Sequence, residues 1–558
     1  MPWIQAVNPL HHLGLSALAA LIPVLFIFWA LILKKMKGYL ASLLATGVAI
    51  IVAITIYGMP VKLALLSTAH GILYGLFPIA WIVITVIYLF NLTVASGQFE
   101  IIKYSMASVT SDRRLQALLI AFSFGAFLEG TAGFGAPVAI TAALLVGLGY
   151  EPFYAAGICL VANTAPVAFG AIGIPITVAS HVSGIGEMEL SRMVGRTLPL
   201  LSLLLPFYLV IIMSGWKRSL EVLPAILVSG ISFAGLQWFC SNYLGPALPD
   251  IIAGAGSILL LTLFLKYWQP KKIWRFTHEG VPTLHQEKSY SGRQILRAWS
   301  PFLVLTLMII AWGLKPVKDL LNTANIQFVI PVLHNGIRDN AGKLIPHVFQ
   351  LNYLSAAGTA ILLSAMLTIP LTGMKFTEGL KLFWKTLVQL KFPIITIGAI
   401  LGFAYIMNDS GITITIASAL ADTGFLYPFF APILGWLGVF ITGSDTSSNA
   451  LFGKLQYATA TSLGINPVVT VAANSSGGVV GKMISPQSIA IGTAAVGLIG
   501  QEARLFRYTV KHSLLMLVFI CCLTMAQAYY IKWIVPAVPV SSGKLIQAKE
   551  TEAVIIRR

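Results

Sequence analysis

The sequence predicts an all-α polytopic membrane protein with about 12–14 spans, built as two inverted-topology repeats with broken helices or re-entrant hairpins. Of its 558 residues, 57% are hydrophobic and only 10% are charged, and the mean hydropathy is +0.86. Soluble domains carry about 25% charged residues. Two regions of the chain also share motifs at a nearly constant offset, and their flanking basic residues have opposite bias. These observations favour a transporter architecture.

The charge and cysteine content exclude several classes of protein. The net charge of +17 comes from basic residues between apolar runs, where positive-inside topology explains them and nucleic-acid binding does not. No spacing indicates a metal site, no cofactor is expected, and a disulfide framework is improbable. The four cysteines all lie in apolar runs: Cys159, Cys240, Cys521 and Cys522.

The apolar segments define the spans in order. The first, Leu15–Leu33, precedes Lys34, Lys35 and Lys37. This basic cluster is expected in the cytoplasm, which places the N-terminus outside. Further spans are expected at Tyr39–Tyr57, His70–Phe90, Leu198–Ser214, Leu223–Phe239, Ile251–Leu265, Pro301–Leu314, Tyr353–Leu371 and Leu514–Ile534. The polar motifs occupy two further regions, Leu115–Gly186 and Phe392–Gly500.

Five units follow from this reading. The basic loop Lys266–Arg297 is expected inside, and the polar connection Lys315–Leu351 outside. We predict N-terminal spans (1–60), a first repeat (61–240), connecting spans and loops (241–375), a second repeat (376–536) and a polar tail (537–558).

An internal repeat supports the division. Five residues recur with an offset of 311, and the repeated set is Ala162, Asn163, Gly170, Pro175 and Ala179. Gly125, Phe127 and Gly130 recur with an offset of 313. The span after Pro78 ends at basic residues, whereas the span after Pro393 begins beside lysines, so the copies are predicted to be inverted. The alternative is a chance likeness between two Gly- and Ala-rich regions.

The most informative segment is Phe440–Asn449, with the sequence Phe-Ile-Thr-Gly-Ser-Asp-Thr-Ser-Ser-Asn. An aspartate at membrane depth costs about 2.5–3.5 kcal/mol on insertion scales, so Asp445 is not expected to face lipid. Hydroxyl and amide groups surround it, and Gly443 lets the backbone turn. We interpret the segment as half of a substrate and ion site; the alternative is a polar surface loop. Its predicted substrate contacts are Ser444, Thr446, Ser447 and Asn449.

The first repeat carries the matching segment. Glu129 is followed by the predicted helix-breaking residues Gly130, Gly133 and Pro137. Free N–H groups at a broken helix suit an anion. Glu129 and Asp445 are therefore predicted to take up the coupling proton beside an anion site. The alternative for Glu129 is a structural hydrogen bond that stabilises the bend.

A second matched pair of motifs adds polar side chains. Substrate contacts are predicted at Asn163 and Thr164 in one copy, and at Asn474, Ser475 and Ser476 in the other. Interhelical hydrogen bonding is the alternative. Gly477 and Gly478 are predicted to interrupt a helix. Lys482 either neutralises Asp445, receives the substrate carboxylate or extends to an interface.

The rival functions are a channel, an enzyme and a sodium-coupled carrier. A channel would need a continuous polar pore, but the polar groups cluster at two matched places. No metalloprotease or nucleophile-elbow motif indicates an enzyme. A sodium-coupled carrier stays open, because the oxygen-rich segment at 443–449 is suited to a cation.

These motifs resemble the bacterial L-lactate permease family over essentially the whole chain. The similar segments are Gly125–Gly147, Asn163–Gly170, Thr442–Phe452 and Gly481–Ala490. The chain departs from the family pattern mainly at Thr323–His347 and after Pro536. The resemblance implies a multi-pass plasma-membrane symporter that moves L-lactate, D-lactate or glycolate with a proton. Its expected partners are the monocarboxylate, the proton and the lipid bilayer, with an oligomer possible and no nucleic acid.

Overall fold

The computed structural model describes residues 2–133, 135–276, 290–339 and 342–536. The predicted tail 537–558 and the 277–289 part of the basic loop lie outside the described residues. The described chain is dominated by helices. The first ten are α1 (Leu13–Phe28), α2 (Gly38–Thr55), α3 (Val61–Tyr74), α4 (Trp81–Ala95), α5 (Gln98–Ala107), α6 (Arg113–Gln116), α7 (Gly125–Thr131), α8 (Ala136–Gly147), α9 (Pro152–Ala162) and α10 (Gly170–Ser183).

The middle of the chain continues with long helices and a short polar connection. These are α11 (Glu187–Ser214), α12 (Trp216–Leu220), α13 (Leu223–Tyr243), α14 (Pro249–Tyr267), α15 (Gly292–Gly313), α16 (Lys315–Asn322), α17 (Ala357–Thr372) and α18 (Phe376–Gln389). The last helices are α19 (Lys391–Asp409), α20 (Ile412–Leu420), α21 (Tyr427–Thr442), α22 (Asp445–Ser462), α23 (Pro467–Lys482), α24 (Pro486–Ala495) and α25 (Glu502–Tyr529). Three π-helical segments, Trp29–Leu33, Gly75–Ala80 and Ala117–Phe124, extend or join neighbouring helices.

The predicted class, an all-α polytopic membrane protein with broken helices, is confirmed, with fewer spans than expected. Ten helical stretches of the described residues are long and apolar enough to cross a membrane, or up to eleven with the bent pair α9–α10. The predicted number was about 12–14. Two further apolar helices, α8 and α17, have 12 and 16 residues and are not among these stretches.

Four short strands form two small sheets. They are β1 (Trp3–Ile4), β2 (Ile326–Val329), β3 (Ile337–Arg338) and β4 (Val348–Leu351). Strand β2 pairs antiparallel with β4, and β1 pairs parallel with β3. The polar connection between α15 and α17 therefore contains regular structure. The N-terminal strand β1 pairs with one of its strands, β3.

The two regions with repeated motifs each contain two helix breaks. In the first region, a break after Thr131 separates α7 from α8, and residues 163–169 separate α9 from α10 with a bend of 66°. In the second, residues 443–444 separate α21 from α22, and residues 483–485 separate α23 from α24. The breaks after Thr131 and Thr442 fall near equivalent positions of the repeated motifs, whereas residues 163–169 correspond, at the offset of 311, to 474–480 inside α23. The inverted orientation of the two copies stays a prediction.

One predicted break is wrong. Gly477 and Gly478 lie inside α23, which is continuous as far as Lys482. A Cβ atom at Gly477 would lie 2.0 Å from the carbonyl oxygen of Pro432 in α21. These glycines therefore allow two helices to pack closely, as small residues commonly do in membranes. A local sequence pattern does not separate this role from chain breaking.

The broken helices occupy the interior of the fold. Helix α23 packs against α21, α22 and α25, and α10 crosses from the first region to pack against α22. In the first region, α7 packs against α14, which in turn packs against α13. Almost all of α7 and α23 is buried. The polar motifs are consequently enclosed by other helices.

Candidate functional site

The site begins where α21 ends and α22 starts. Gly443 has a φ of 71°, a left-handed conformation that glycine adopts without strain. The hydroxyl of Ser444 then accepts a hydrogen bond from the Ser447 N–H at 3.3 Å and caps α22. Asp445 is consequently the first residue of α22. Its carboxyl group lies at the helix end that favours negative charge.

The carboxyl group of Asp445 is buried and only partly satisfied. Its side chain is 3% exposed. Ser475 donates a hydrogen bond to Oδ2 at 2.7 Å, and Asn449 Nδ2 lies 3.3 Å from the same oxygen. Oδ1 has no hydrogen-bond partner among the described residues. One carboxylate oxygen is thus hydrogen-bonded, and the other is buried against Gly478 without a partner in the described chain.

A chain of hydrogen bonds extends from Asp445 between α22 and α23. Asn449 Nδ2 donates to Ser475 Oγ at 2.7 Å, and Asn474 Nδ2 donates to Asn449 Oδ1 at 2.9 Å. Gln456 Nε2 donates to Asn474 Oδ1 at 3.2 Å. Asn449 also donates to the carbonyl oxygen of Pro175 in α10, at 3.1 Å. This network orients Asp445 and connects the two repeated regions.

Glu129 occupies the corresponding place in the first region. It lies near the end of α7 and is 3% exposed. Asn163 Nδ2 donates to Glu129 Oε2 at 3.0 Å. A Cβ atom at Gly170 would lie 2.8 Å from Glu129 Oε1, so the start of α10 can approach the carboxyl group because residue 170 has no side chain.

The two regions meet at a small cavity of about 50 Å³. Water-sized occupants need roughly 10–15 Å³ each by this measure, so the cavity suits a ligand of a few heavy atoms. We call it the central cavity. Its lining residues are Glu129, Gly133, Val167, Gly170, Ala171, Pro175, Gly443, Ser444, Asp445, Thr446, Lys482 and Gln487.

Helix ends and one cation surround the central cavity. The first turn of α22 lines it, and Gln487 belongs to the first turn of α24. Residues 171–173, at the start of α10, have positive φ and form a left-handed turn instead of a first helical turn. Helix N-termini present free N–H groups and favour anions. Lys482, the last residue of α23, lines the same cavity and is only 8% exposed. A small anion can therefore be bound by backbone donors together with an ammonium group.

The predicted site residues fall into three sets. The central cavity is lined by Glu129, Gly133, Gly443, Ser444, Asp445, Thr446 and Lys482. A second set is outside its lining and orients the two carboxyl groups through hydrogen bonds: Asn163, Asn449, Asn474 and Ser475. The remaining predicted residues lie nearby in α7, α8, α22, α23 and the α9–α10 break: Gly130, Pro137, Thr164, Ser447, Ser476, Gly477 and Gly478.

Three polar residues of this region were missed by sequence reasoning. Gln487 lines the central cavity, and Gln456 belongs to the hydrogen-bond network. Asp250, at the start of α14, is 1% exposed. The available signal for Asp250 was an aspartate directly beside the predicted span Ile251–Leu265. It was missed because a carboxyl group at a span end is also expected at the membrane surface.

Two larger cavities lie near opposite ends of these helices. One, of about 520 Å³, is lined by residues of the polar connection, including His347, and by Lys454 of α22. The other, of about 840 Å³, is lined by Lys35, Arg507 and Gln487, among others. Because Gln487 lines both this cavity of about 840 Å³ and the central cavity, the two cavities meet at Gln487.

Comparison with known proteins shows the family of this chain. The family model described as L-lactate permease matches residues 16–531. The chain belongs to the L-lactate permease family. As a member of a family of permeases, it is a multi-pass bacterial membrane transporter and not an enzyme.

Relatives in this permease family match along almost their whole length. The L-lactate permease of Bacillus subtilis (strain 168) is 53% identical, over 96% of this chain and 100% of that protein. The glycolate permease GlcA of Escherichia coli (strain K12) is 51% identical, over 94% and 98%. The L-lactate permease of the same strain is 49% identical, over 96% and 100%. Among solved structures, the YdaH transporter of Alcanivorax borkumensis has a TM-score of 0.48 at 13% identity, over 92% of this chain and 100% of that one.

Proposed function

We propose that this protein imports L-lactate and related 2-hydroxymonocarboxylates, including D-lactate and glycolate, by symport with a proton. The observation that carries the proposal is the central cavity, where Asp445, Glu129 and Lys482 surround a space suited to a small acid. The relatives named as L-lactate and glycolate permeases support this class of substrate.

The substrate carboxylate is proposed to bind Lys482 and the first turn of α22. The ammonium group supplies the opposite charge, and the N–H groups at the helix start supply directed hydrogen bonds. The hydroxyl groups of Ser444 and Thr446 line the same cavity and can donate to or accept from the substrate 2-hydroxyl. In this proposal Asn163, Asn474 and Ser476 lie behind the lining of the central cavity and do not contact the substrate.

The proton is proposed to bind Asp445 and Glu129. Burying an ionised carboxylate is costly unless it is paired and hydrogen-bonded. A substrate carboxylate entering the central cavity would meet two further carboxyl groups, so protonation removes like-charge repulsion at the moment of binding. This links anion entry to proton uptake.

Transport requires access to the central cavity from both sides of the membrane. The two larger cavities, which include His347 and Arg507 in their respective linings, are proposed as the outer and inner approaches. Broken helices with binding groups at their ends are a recurring arrangement for alternating access. The plasma membrane, with the N-terminus outside, is the proposed location.

A sodium-coupled carboxylate carrier is the second candidate. The observation that favours it is Oδ1 of Asp445, which has no hydrogen-bond partner among the described residues, in a cavity also lined by Ser444 and Thr446. Carbonyl groups at the ends of broken helices coordinate sodium in some transporters.

The deciding experiment is uptake of labelled L-lactate into proteoliposomes, driven separately by an inward proton gradient and by an inward sodium gradient. We expect proton-driven uptake in the wild type and its loss in Asp445→Asn, because the amide does not titrate. Asp422→Asn is the matched control, since Asp422 is exposed and away from the central cavity. Sodium-driven uptake without a proton response would replace the proposed symport by the second candidate. A fully active Asp445→Asn would remove Asp445 from the site.

A further inference from the structure

Asp250 is a buried carboxyl group that the proposed transport cycle has not used so far. It is the second residue of α14 and is 1% exposed. Both carboxyl oxygens lack a hydrogen-bond partner among the described residues. Gln237 of α13 lies beside it; its Nε2 donates to the carbonyl oxygen of Ala165 and its Oε1 accepts from the hydroxyl of Ser202, which leaves one amide hydrogen of Gln237 uncommitted.

Two opposing effects act on the ionised form of Asp250. An ionised carboxylate with no partner is expensive in an apolar interior. The start of α14 opposes that cost, because a helix N-terminus stabilises negative charge. A proton on Asp250 removes the cost of burial, and the start of α14 stabilises the charge when that proton leaves.

Asp250 lies directly against the Glu129 segment. A Cβ atom at Gly130 would be 2.8 Å from Asp250 Cβ, and a Cβ atom at Gly254 would be 2.6 Å from the Phe127 backbone nitrogen. Helices α7 and α14 are thus in close contact through glycines. Since Asp250 contacts Gly130, the residue that follows Glu129, the two carboxyl groups belong to the same contact between α7 and α14. Two neighbouring carboxylates resist being ionised together, so a proton on one favours ionisation of the other.

The surroundings contain few other charges. Helices α7 and α13 and the segment Ala117–Phe124 pack on α14, and Glu129 is the one Asp, Glu, Lys or Arg residue in these three elements. Asn163 Oδ1 and Thr164 Oγ1 are also buried without a partner in the described chain. Buried polar atoms of this kind are commonly satisfied by internal water, which would provide a route for protons beside Glu129.

We infer that Asp250 is a second proton-binding site that exchanges its proton with Glu129, so that the two carboxyl groups together carry the coupling proton. Asp250 binds the proton on a carboxylate oxygen. The proton then passes through internal water to the Glu129 carboxylate at the edge of the central cavity, and Asp250 is left ionised at the start of α14. The inference rests on the proposed proton symport and adds a residue to it.

Asp250→Asn distinguishes proton binding from a structural role. Asparagine has nearly the same shape as a protonated aspartate but does not titrate. If Asp250 were only a neutral packing group, the variant would keep proton-driven uptake. If Asp250 carries the proton, the variant is expected to lose accumulation of labelled L-lactate under an inward proton gradient. It should keep counterflow, the exchange of external labelled for internal unlabelled L-lactate, within about twofold of the wild type.

The control and the contradicting result are defined in the same assay. Asp422→Asn should retain both proton-driven accumulation and counterflow. Wild-type accumulation by Asp250→Asn would overturn the inference. A folded variant that loses counterflow along with accumulation would also overturn it, because Asp250 would then be needed for substrate movement itself.

Infrared difference spectroscopy provides a second measurement that does not depend on transport. Wild-type protein taken through a pH titration should show a protonated-carboxyl band that disappears as the pH rises. This band should move in Asp250→Glu and be absent in Asp250→Asn. A spectrum unchanged by either substitution would overturn the inference even if Asp250→Asn folds too poorly for transport assays.

Failure of the inference is distinguishable from failure of the proposed function. If wild-type uptake follows sodium and ignores the proton gradient, the proposed symport fails in the wild type, before any variant is considered. If wild-type uptake follows the proton gradient and Asp250→Asn behaves like Asp422→Asn, only the role of Asp250 fails.

Discussion

The position of the Lys482 side chain determines which of its predicted roles are possible. It ends α23, is almost fully buried, and lines the central cavity together with Asp445. The sequence left three roles open for it, including extension to a membrane interface. Burial against the central cavity favours the roles in which its charge meets Asp445 or a ligand carboxylate.

We predict that Lys482→Met severely weakens binding of the acid. Truncating one partner of a buried charge pair costs about 2–5 kcal/mol, so the KM for labelled L-lactate uptake should rise by at least about 30-fold. Lys482→Arg should recover part of the affinity, because it keeps the charge but changes its geometry. Lys385→Met on the exposed side of α18 is the control and should leave KM unchanged. An unaltered KM in Lys482→Met would show that the carboxylate binds elsewhere.

Close packing of α21 against α23 is the main feature at the scale of elements. Cβ atoms at Gly435, Gly477 and Gly481 would lie 1.9, 2.0 and 2.5 Å from backbone oxygens of the facing helix. Contacts this short leave no room for a methyl group. The glycines thus set the distance between the two helices that carry the hydrogen-bond network and Lys482.

Gly477→Ala is predicted to destabilise this helix pair. Overpacking a well-filled interior costs about 1–3 kcal/mol, so the apparent melting temperature in detergent, followed by tryptophan fluorescence, should fall. Gly47→Ala in α2 is the control, since a Cβ atom there would meet nothing within 4 Å. Alanine in place of glycine favours a helix by up to about 1 kcal/mol, so this control should be neutral or slightly stabilising. Equal melting temperatures for Gly477→Ala and the wild type would contradict the packing role.

At the scale of the whole molecule, three distant parts of the chain meet over the cavity of about 520 Å³. Gln5 donates to the carbonyl oxygens of Asn408 and Asp409 at the end of α19. His347, just before β4, pairs its Nε2 with Asp409 Oδ2 at 2.9 Å, while its Nδ1 lies 3.1 Å from the carbonyl oxygen of Ile345. Two acceptors at the two ring nitrogens favour the doubly protonated, charged imidazole. The polar connection is therefore docked on α19 through an ion pair.

We predict that this docking weakens as the pH rises. Burial lowers the pKa of His347, but its hydrogen bond to Asp409, the Asp409 charge and backbone carbonyls outweigh burial and raise the pKa above its ordinary value of 6.5. A raised pKa in the docked form means that docking is fully favoured below the ordinary histidine pKa. The benefit is lost as the pH rises through the raised value. His70 is the neighbouring titratable group, with its ring centroid 5.7 Å from that of His347.

Hydrogen exchange followed by mass spectrometry tests the docking. Protection of β2 and β4, corrected for intrinsic exchange rates, should fall with rising pH in the wild type. In His347→Gln it should be low and nearly independent of pH. His11→Gln, which changes an exposed histidine near the N-terminus, should behave as the wild type. Constant protection across the pH range in the wild type would contradict the prediction.

Much of this architecture could be predicted from residue types alone. The membrane class followed from composition, and the breaks at Gly133 and Gly443 followed from glycines beside carboxyl groups in apolar segments. The number of spans depends on helix length, which composition does not give: α8 and α17 are apolar but shorter than the other candidate spans. Asp250 was missed because its burial depends on α7 and α13, which are distant in sequence.

The sequence by itself determined the properties that depend on local chemistry: an apolar chain, basic loops, and carboxyl groups beside glycines where helices end. These follow from the cost of charge in lipid and from backbone freedom at glycine, which act within a few residues. Only the tertiary structure decided that Glu129, Asp445 and Lys482 line one cavity and that Asp250 lies against the Glu129 segment. Only it showed that Gly477 brings two helices together without breaking either one. Those outcomes depend on packing between segments far apart in the chain. There the same residue type can have different structural roles, as glycine does in a helix break and in a helix contact.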